Sequence, residues 1–136
     1  MRRNSRKSAS AKPGPATGPR ATLRDRRIAE RLAVLQHDAT DEGEDIRPES
    51  ARQFEAFFHN HPELGLPKIT LTPDGTLRAR WIVAPQNFVA IEFTGGHSVR
   101  LVAELPRDRG KTAKFFATES VASVVPIARA IGAGFT

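Results

Sequence analysis

Alternating apolar and polar residues in the middle of the chain predict a series of β-strands. Apolar side chains occupy every second position in residues 68–72 and 76–83, on either side of the tripeptide Pro73-Asp74-Gly75. This alternation is typical of strands with one buried face, and Pro-Asp-Gly favours a tight turn between them. The segment therefore predicts a β-hairpin. Three more strand-like segments follow, at residues 88–94, 98–105 and 111–118.

The strand register follows from the requirement that apolar residues share one face of the sheet. A three-residue turn at Pro73-Asp74-Gly75 sets Leu71 opposite Leu77 and gives Gly75 a left-handed backbone. Loops of the same length at residues 85–87 and 95–97 set Trp81 opposite Ile91, and Ile91 opposite Leu101. This arrangement places Trp81 and Val83 on the buried face.

The opposite face of the predicted sheet combines charged and apolar residues. In this register Glu92 lies between Arg80 and Arg100, where a cross-strand ion pair is expected. An apolar group lies further along the same face. If this apolar group is exposed, it marks an interface. If the C-terminal helix covers it, it belongs to the core. The sequence leaves both alternatives open. The candidate partner-binding residues are Ile82, Phe88, Ala90 and Val102.

Helical spacing of apolar residues predicts three helices around the sheet. Residues 22–36 begin with a capping pair, Thr22 and Asp25, and carry a stripe of three arginines on one helix face, Arg24, Arg27 and Arg31. Residues 48–61 begin with Pro48 at a favourable first-turn position. Residues 37–46 between them predict an acidic, solvated loop. Residues 119–133 have helical spacing interrupted by Pro126, so the helix either kinks there or begins only a few residues before it. The expected fold class is α+β, with two N-terminal helices, an antiparallel meander of four to five strands, and a C-terminal helix.

The N-terminus differs from the rest of the chain in composition and charge. Residues 1–31 hold ten Lys or Arg against two acidic residues, whereas the remaining residues hold eleven against thirteen. Residues 1–20 contain no large apolar residue after Met1, which predicts a disordered basic tail. Residues 21–136 are expected to form a single α+β domain. Prolines and glycines in the tail disfavour an amphipathic transit helix, so a cytoplasmic location is expected.

The sequence predicts neither a catalytic site nor a cofactor or metal site. The chain has no cysteine, and its only close histidine pair, His59 and His61, diverges on a helix. Gly95-Gly96 reads as a hairpin turn rather than a phosphate-binding loop, because no helix follows it. No apolar run is long enough to span a membrane, so no membrane association is expected.

The unit Pro67-x5-Pro73-Asp74-Gly75-x5-Trp81, followed by two short strands, resembles small uncharacterised bacterial proteins that carry a TPDG…W hairpin after a helix. The resemblance covers roughly residues 48–105. It implies a bacterial source and no particular activity.

Two functions follow as expectations. The leading one is a small non-enzymatic protein-interaction module, antitoxin-like or an accessory partner of another protein, that binds through the apolar outer group. The alternative is a nucleic-acid-binding protein, because a basic arm is attracted to phosphates without reading their sequence. The residues assigned to that alternative are Arg2, Arg3, Arg6, Lys7, Arg24, Arg27, Arg31, Lys68, Arg78, Arg80 and Arg100.

Overall fold

The computed structural model describes residues 22–135, so the predicted basic tail, residues 1–20, lies outside the described part of the chain. Two helices are followed by a five-stranded antiparallel sheet with strands in sequence order and then by a short third helix. The predicted α+β meander is confirmed. The elements are α1 (Leu23–Asp41), α2 (Pro48–Asn60), β1 (Lys68–Leu71), β2 (Leu77–Ala84), β3 (Asn87–Phe93), β4 (Ser98–Pro106), β5 (Thr112–Ser120) and α3 (Val124–Ala130).

Helix α1 begins where the capping pair predicts but ends later than predicted. The Thr22 hydroxyl accepts from the backbone N–H of Asp25, whose carboxylate accepts from the N–H of Thr22. The helix then continues to Asp41, because Ala39 is buried in the core and holds the additional turn against the protein. The prediction of a loop from residue 37 was therefore wrong for residues 37–41.

Helix α3 begins two residues before Pro126, which confirms the second of the two predicted alternatives. Strand β5 runs to Ser120, and the helix begins only at Val124 instead of Glu119. Pro126 consequently lies in the first turn, where its missing N–H leaves no intrahelical bond unmade. Val124, Val125 and Ala128 of this helix are buried in the same core as the sheet.

One face of the sheet, called the inner face below, forms the floor of the hydrophobic core. Helix α2 covers it with Phe54, Phe57 and Phe58, which make close ring contacts with Phe93. Eleven inner-face residues are at most 2% exposed: Ile69, Leu77, Ala79, Trp81, Val89, Ile91, Phe93, Val99, Leu101, Ala103 and Leu105.

Trp81 joins the sheet to the segment between α2 and β1 and to the segment after α3. Its indole N–H donates to the carbonyl of Gly65 at 2.9 Å. Its ring meets Phe135 edge to face at a centroid distance of 4.9 Å. Backbone N–H of Gly65 in turn donates to the carbonyl of Phe135 at 2.8 Å. The residues after α3 therefore pack on the inner face, on the same side as α2.

The predicted register is confirmed for two of the three strand pairs that were derived. Leu71 lies opposite Leu77, and Ile91 lies opposite Leu101. Gly75 has a φ of +83°, as the predicted turn requires.

The predicted register between β2 and β3 was wrong by two residues. Trp81 lies opposite Val89, not Ile91. The turn contains only Pro85 and Gln86, and the ladder is irregular at Val83, which is 57% exposed instead of buried. Because side chains alternate with a period of two, a shift of two residues leaves all the remaining residues of both strands on their predicted faces.

Two buried polar residues of α2 fix the helix on the sheet. The Ser50 hydroxyl donates to the carbonyl of Phe93 and accepts from the N–H of Leu77. The Gln53 amide accepts from the N–H of Gly95, and it donates to the carbonyls of Gly96 and Ser98. These bonds satisfy polar groups that would otherwise be costly to bury.

Candidate interaction surface

The second face of the sheet, called the outer face, is not covered by any element within residues 22–135. Helices α2 and α3 both pack on the inner face, and α1 lies along β1 at one edge, where Arg31 donates to the carbonyl of Ile69 at 3.1 Å. The alternative in which the C-terminal helix covers the outer apolar group was therefore wrong.

The apolar residues of the outer face form one continuous group across four strands. Ile82 lies opposite Phe88, and Val102 lies between Ala90 and Phe116. Ile82 is 45% exposed and Phe116 is 73% exposed. Phe88 and Val102 are half-buried. We call Ile82, Phe88, Ala90, Val102 and Phe116 the outer patch.

Ala90 contributes little accessible surface to the outer patch. It is only 5% exposed, because it lies on the central strand beneath longer neighbours. Its cross-strand neighbour Arg80 places its guanidinium over the ring of Phe88, 4.3 Å from the ring centroid. The accessible anchors of the patch are therefore Ile82 and Phe116, with Phe88 partly shielded by a cation.

Cationic side chains surround the outer patch. Lys68, Arg78, Arg80, Arg100 and Lys114 all project from the outer face. The acidic residues on this face are Glu92 and Glu104.

Glu92 is buried, and one of its two arginine partners differs from the prediction. Its carboxylate accepts from the Thr76 hydroxyl at 2.8 Å and from Arg100 at 3.2 Å, with Arg78 at 3.8 Å. Arg78 replaces the predicted Arg80, because the shift between β2 and β3 brings Arg78 opposite Glu92. The carboxylate fixes two arginines in the row of outer-face residues next to Ala90 and Val102.

The predicted arginine stripe of α1 is divided by the structure. The side chain of Arg24 is only 13% exposed. Its guanidinium donates to the backbone carbonyls of Phe58, His61 and Leu64, at 3.1, 2.9 and 2.8 Å. Arg24 therefore caps the C-terminal end of α2 and is not available as a phosphate ligand.

The other residues assigned to nucleic acid have different positions. Arg27 is exposed on α1, and Arg31 is exposed although its Nε donates to β1. Lys68, Arg78, Arg80 and Arg100 share the outer face. Arg2, Arg3, Arg6 and Lys7 lie outside the described residues.

Two carboxyl groups near the helix N-termini have lowered pKa values. Hydrogen bonds from Arg24 hold the pKa of Asp25 below its ordinary value, with a further contribution from Thr22, although partial burial opposes them. The pKa of Glu49 is also lowered, first by the hydrogen bond from its own backbone N–H and then by Arg47. Both groups therefore support their helices as carboxylates.

A groove with a volume of about 640 Å³ lies between α1 and α2. It is lined mainly by Ile28, Leu32, Phe54 and Phe58, with Arg24 and His59 at its margin. His59, His61 and His97 form no ion pair with a carboxylate in the described part of the chain. The histidine ion pair found there joins His37 to Asp41 on exposed α1.

Within residues 22–135, no three His, Asp or Glu side chains lie close enough together to hold a metal ion. None of the helices in the same range is long and apolar enough to cross a bilayer.

No family model, curated protein or solved structure matches the chain. The resemblance to proteins with a TPDG…W hairpin therefore stays a prediction.

Sequence reasoning missed Phe116, the most exposed aromatic residue of the outer patch. Adjacent residues in a strand point to opposite faces, so one member of the pair Phe115-Phe116 had to leave the core. Continuing the register from β4 would have identified it, because Val102 lies opposite Phe116.

Proposed function

We propose that this chain is a small non-enzymatic protein-interaction module, antitoxin-like or an accessory partner of another protein. The outer patch is its binding surface. The observation that carries the proposal is an uncovered sheet face on which Ile82 and Phe116 are held out to solvent by rigid strands. Contiguous exposed apolar surface of this kind is typical of an interface.

The charge around the outer patch favours a partner of particular chemistry. Lys68, Arg78, Arg80, Arg100 and Lys114 share the face with the patch, and Glu92 is buried against two of these cations. A complementary partner presents an apolar centre with Asp and Glu around it. Such complementarity steers association and excludes basic partners.

The buried polar groups support a binding role over an enzymatic one. Ser50 and Gln53 use their side chains to hold α2 on the sheet. Thr76 and Glu92 bond to each other across the outer face. These groups act in the fold itself, whereas the outer patch has no structural use within residues 22–135.

The test is to purify the tagged full chain, as wild type and as variants, from its native host. The proteins that co-purify with each form are then compared. Ile82→Asp places a charge at the β2 end of the patch, on a residue that is already 45% exposed, so the fold should be preserved. The matched control is Val34→Asp. Val34 is 47% exposed, like Ile82, but it lies on α1 and not on the outer face of the sheet.

The informative result is a difference between the two variants. We expect the partner to be retained by wild type and by Val34→Asp, and to be lost with Ile82→Asp. Circular dichroism and melting temperature should be the same for both variants. A partner that is lost equally with both variants, or with neither, would contradict a binding role for the outer patch.

A second candidate function is nucleic-acid binding, which is favoured by one observation. Lys68, Arg78, Arg80 and Arg100 lie on a single face, where an extended phosphate backbone could contact several of them. Arg24 does not contribute, because its donors are used by α2. The basic residues 1–20 would add to the same attraction.

Salt dependence separates the two candidates. Binding of a fluorescein-labelled single-stranded oligonucleotide should weaken steeply with salt if phosphates are contacted, and should weaken again when residues 1–20 are deleted. That deletion removes Arg2, Arg3, Arg6, Lys7, Lys12 and Arg20. If protein interaction is the function, the deletion leaves partner retention unchanged and the oligonucleotide binds only at low salt.

The bacterial source and the cytoplasmic location remain parts of this proposal. Both derive from the sequence: the hairpin resemblance for the source, and the Pro- and Gly-rich basic N-terminus for the location.

A further inference from the structure

The two edges of the sheet are treated differently. Strand β1 has four residues, and helix α1 lies against it with Arg31 bonded to the outward carbonyl of Ile69. Strand β5 has nine residues and pairs with β4 on one side only. No helix or loop within residues 22–135 covers its other side. A long uncovered edge is a template for another strand.

The hydrogen bonds at both ends of the β4–β5 ladder determine which backbone groups are free. Arg107 N–H donates to the carbonyl of Lys111, and Val121 N–H donates to the carbonyl of His97. The register is continuous between these two pairs, so odd-numbered residues of β5 bond to β4. The outward N–H and C=O groups therefore belong to the even-numbered residues Thr112, Lys114, Phe116, Thr118 and Ser120.

The side chains of β5 also leave the core incomplete at this edge. Inner-face residues of β2, β3 and β4 are buried, whereas Ala113, Phe115 and Ala117 of β5 are only half-buried. On the outer face, Phe116 is 73% exposed. Both faces of β5 therefore have apolar surface that an additional strand would cover.

We propose that β5 is a homodimer interface, in which β5 of a second copy of this chain pairs antiparallel with it and joins the two sheets into one of ten strands. The two-fold axis passes beside Phe116, so that Phe116 lies opposite the partner's Phe116. This inference does not depend on the outer patch binding another protein, because it concerns the edge of the sheet.

The sequence of β5 is self-complementary in this register. Phe116 is the central residue of Thr112–Ser120, so all five outward-bonding residues find a partner. Lys114 faces the partner's Thr118, and Phe115 faces the partner's Ala117. No like charges are opposed. A two-fold axis beside Lys114 would instead oppose two lysines, and an axis beside Thr118 would leave half of the edge unpaired.

The first test is the mass of the full chain in solution, measured by light scattering during size exclusion. We expect a dimer of the 14.9 kDa chain. Phe116→Lys should raise the dimer dissociation constant by about a hundredfold, because it removes a buried contact and opposes two charges at the axis. Thr118→Pro removes an outward N–H without removing a bond to β4, and should weaken the dimer similarly.

The second test fixes the register. The chain has no cysteine, so Phe116→Cys introduces a single thiol. Bonded antiparallel pairs place Cα atoms about 5.5 Å apart, within disulfide range. Mild oxidation should produce a covalent dimer with Phe116→Cys and not with Val34→Cys, which places the thiol on exposed α1.

Specific outcomes would overturn the proposal. A monomeric wild type, or a dimer that persists unchanged in both Phe116→Lys and Thr118→Pro, would show that β5 does not join two copies. Equal crosslinking of Phe116→Cys and Val34→Cys would exclude this register. A wild-type monomer that binds an extended peptide only when Phe116 is intact would assign the edge to a different partner. Circular dichroism confirms folding of each variant.

Discussion

Replacing Arg24 with alanine should destabilise the fold, although Arg24 belongs to an arginine-rich stripe that sequence alone assigns to a surface. The guanidinium donates to three backbone carbonyls at the C-terminal end of α2 and in the segment after it. It also lies 5.6 Å from the ring centroid of Phe58. Removing it leaves the carbonyls at the negative end of a helix dipole without a cation.

The magnitude follows from the number and type of bonds. A hydrogen bond that involves a charged group contributes about 1.5–3 kcal/mol, and water can reach some of the exposed carbonyls once the side chain is gone. We therefore expect Arg24→Ala to lower the free energy of unfolding by about 2–4 kcal/mol. Arg24→Lys should recover only part of this, because an ammonium cannot reproduce the planar fork of the guanidinium.

The assay is urea unfolding followed by the fluorescence of Trp81, the single tryptophan, which is 1% exposed. Arg27→Ala is the matched control, since Arg27 lies on the same helix and is exposed. It should change the free energy of unfolding by no more than about 0.5 kcal/mol. Equal effects of the two substitutions would refute the capping role and would indicate that Arg24 is an ordinary surface residue.

Three further predictions concern stability. Trp81→Ala should cost about 3–5 kcal/mol by circular dichroism, and a loss below about 1 kcal/mol would contradict its burial. Gly75→Ala should cost more than Gly96→Ala. Both have positive φ, but a Cβ at Gly75 would lie 3.1 Å from the backbone oxygen of Asp45, whereas the space at Gly96 is open. Because Arg24 lowers the folded pKa of Asp25, its stabilisation is present above the ordinary pKa and is lost as pH falls through the lowered one. Melting temperatures should therefore fall less between about pH 7 and about pH 3 in Arg24→Ala than in wild type; an identical fall would exclude this coupling.

Local rules were sufficient for much of the fold. The capping pair Thr22 and Asp25, the turn at Gly75 and the alternation of β2 up to Trp81 are properties of adjacent residues, and the structure follows them. The register between β2 and β3 was wrong because a bulge at Val83 depends on how the strands twist against their neighbours. No pattern of adjacent residues encodes such a bulge.

Long-range contacts explain the remaining differences. Arg24 reaches backbone carbonyls 34 to 40 residues away, so its role cannot be read from the spacing of arginines on α1. Ser50 and Gln53 look like surface residues by type, but their spacing places them on the buried face with Phe54 and Phe57. Their burial could have been predicted from their position on the helix, if that position had been given more weight than their polarity.

If the outer patch is a binding surface, a protein partner occupies it in the cell. Because the chain has no cysteine, Ile82→Cys gives one reactive thiol in the patch and Val34→Cys gives a matched thiol on α1. The decisive measurement is the rate of maleimide modification of each variant, purified and in permeabilised, nuclease-treated host cells. We predict that cells slow the modification of Ile82→Cys by about tenfold or more while leaving Val34→Cys unchanged. Equal rates at Ile82→Cys in cells and in the purified protein would contradict the claim.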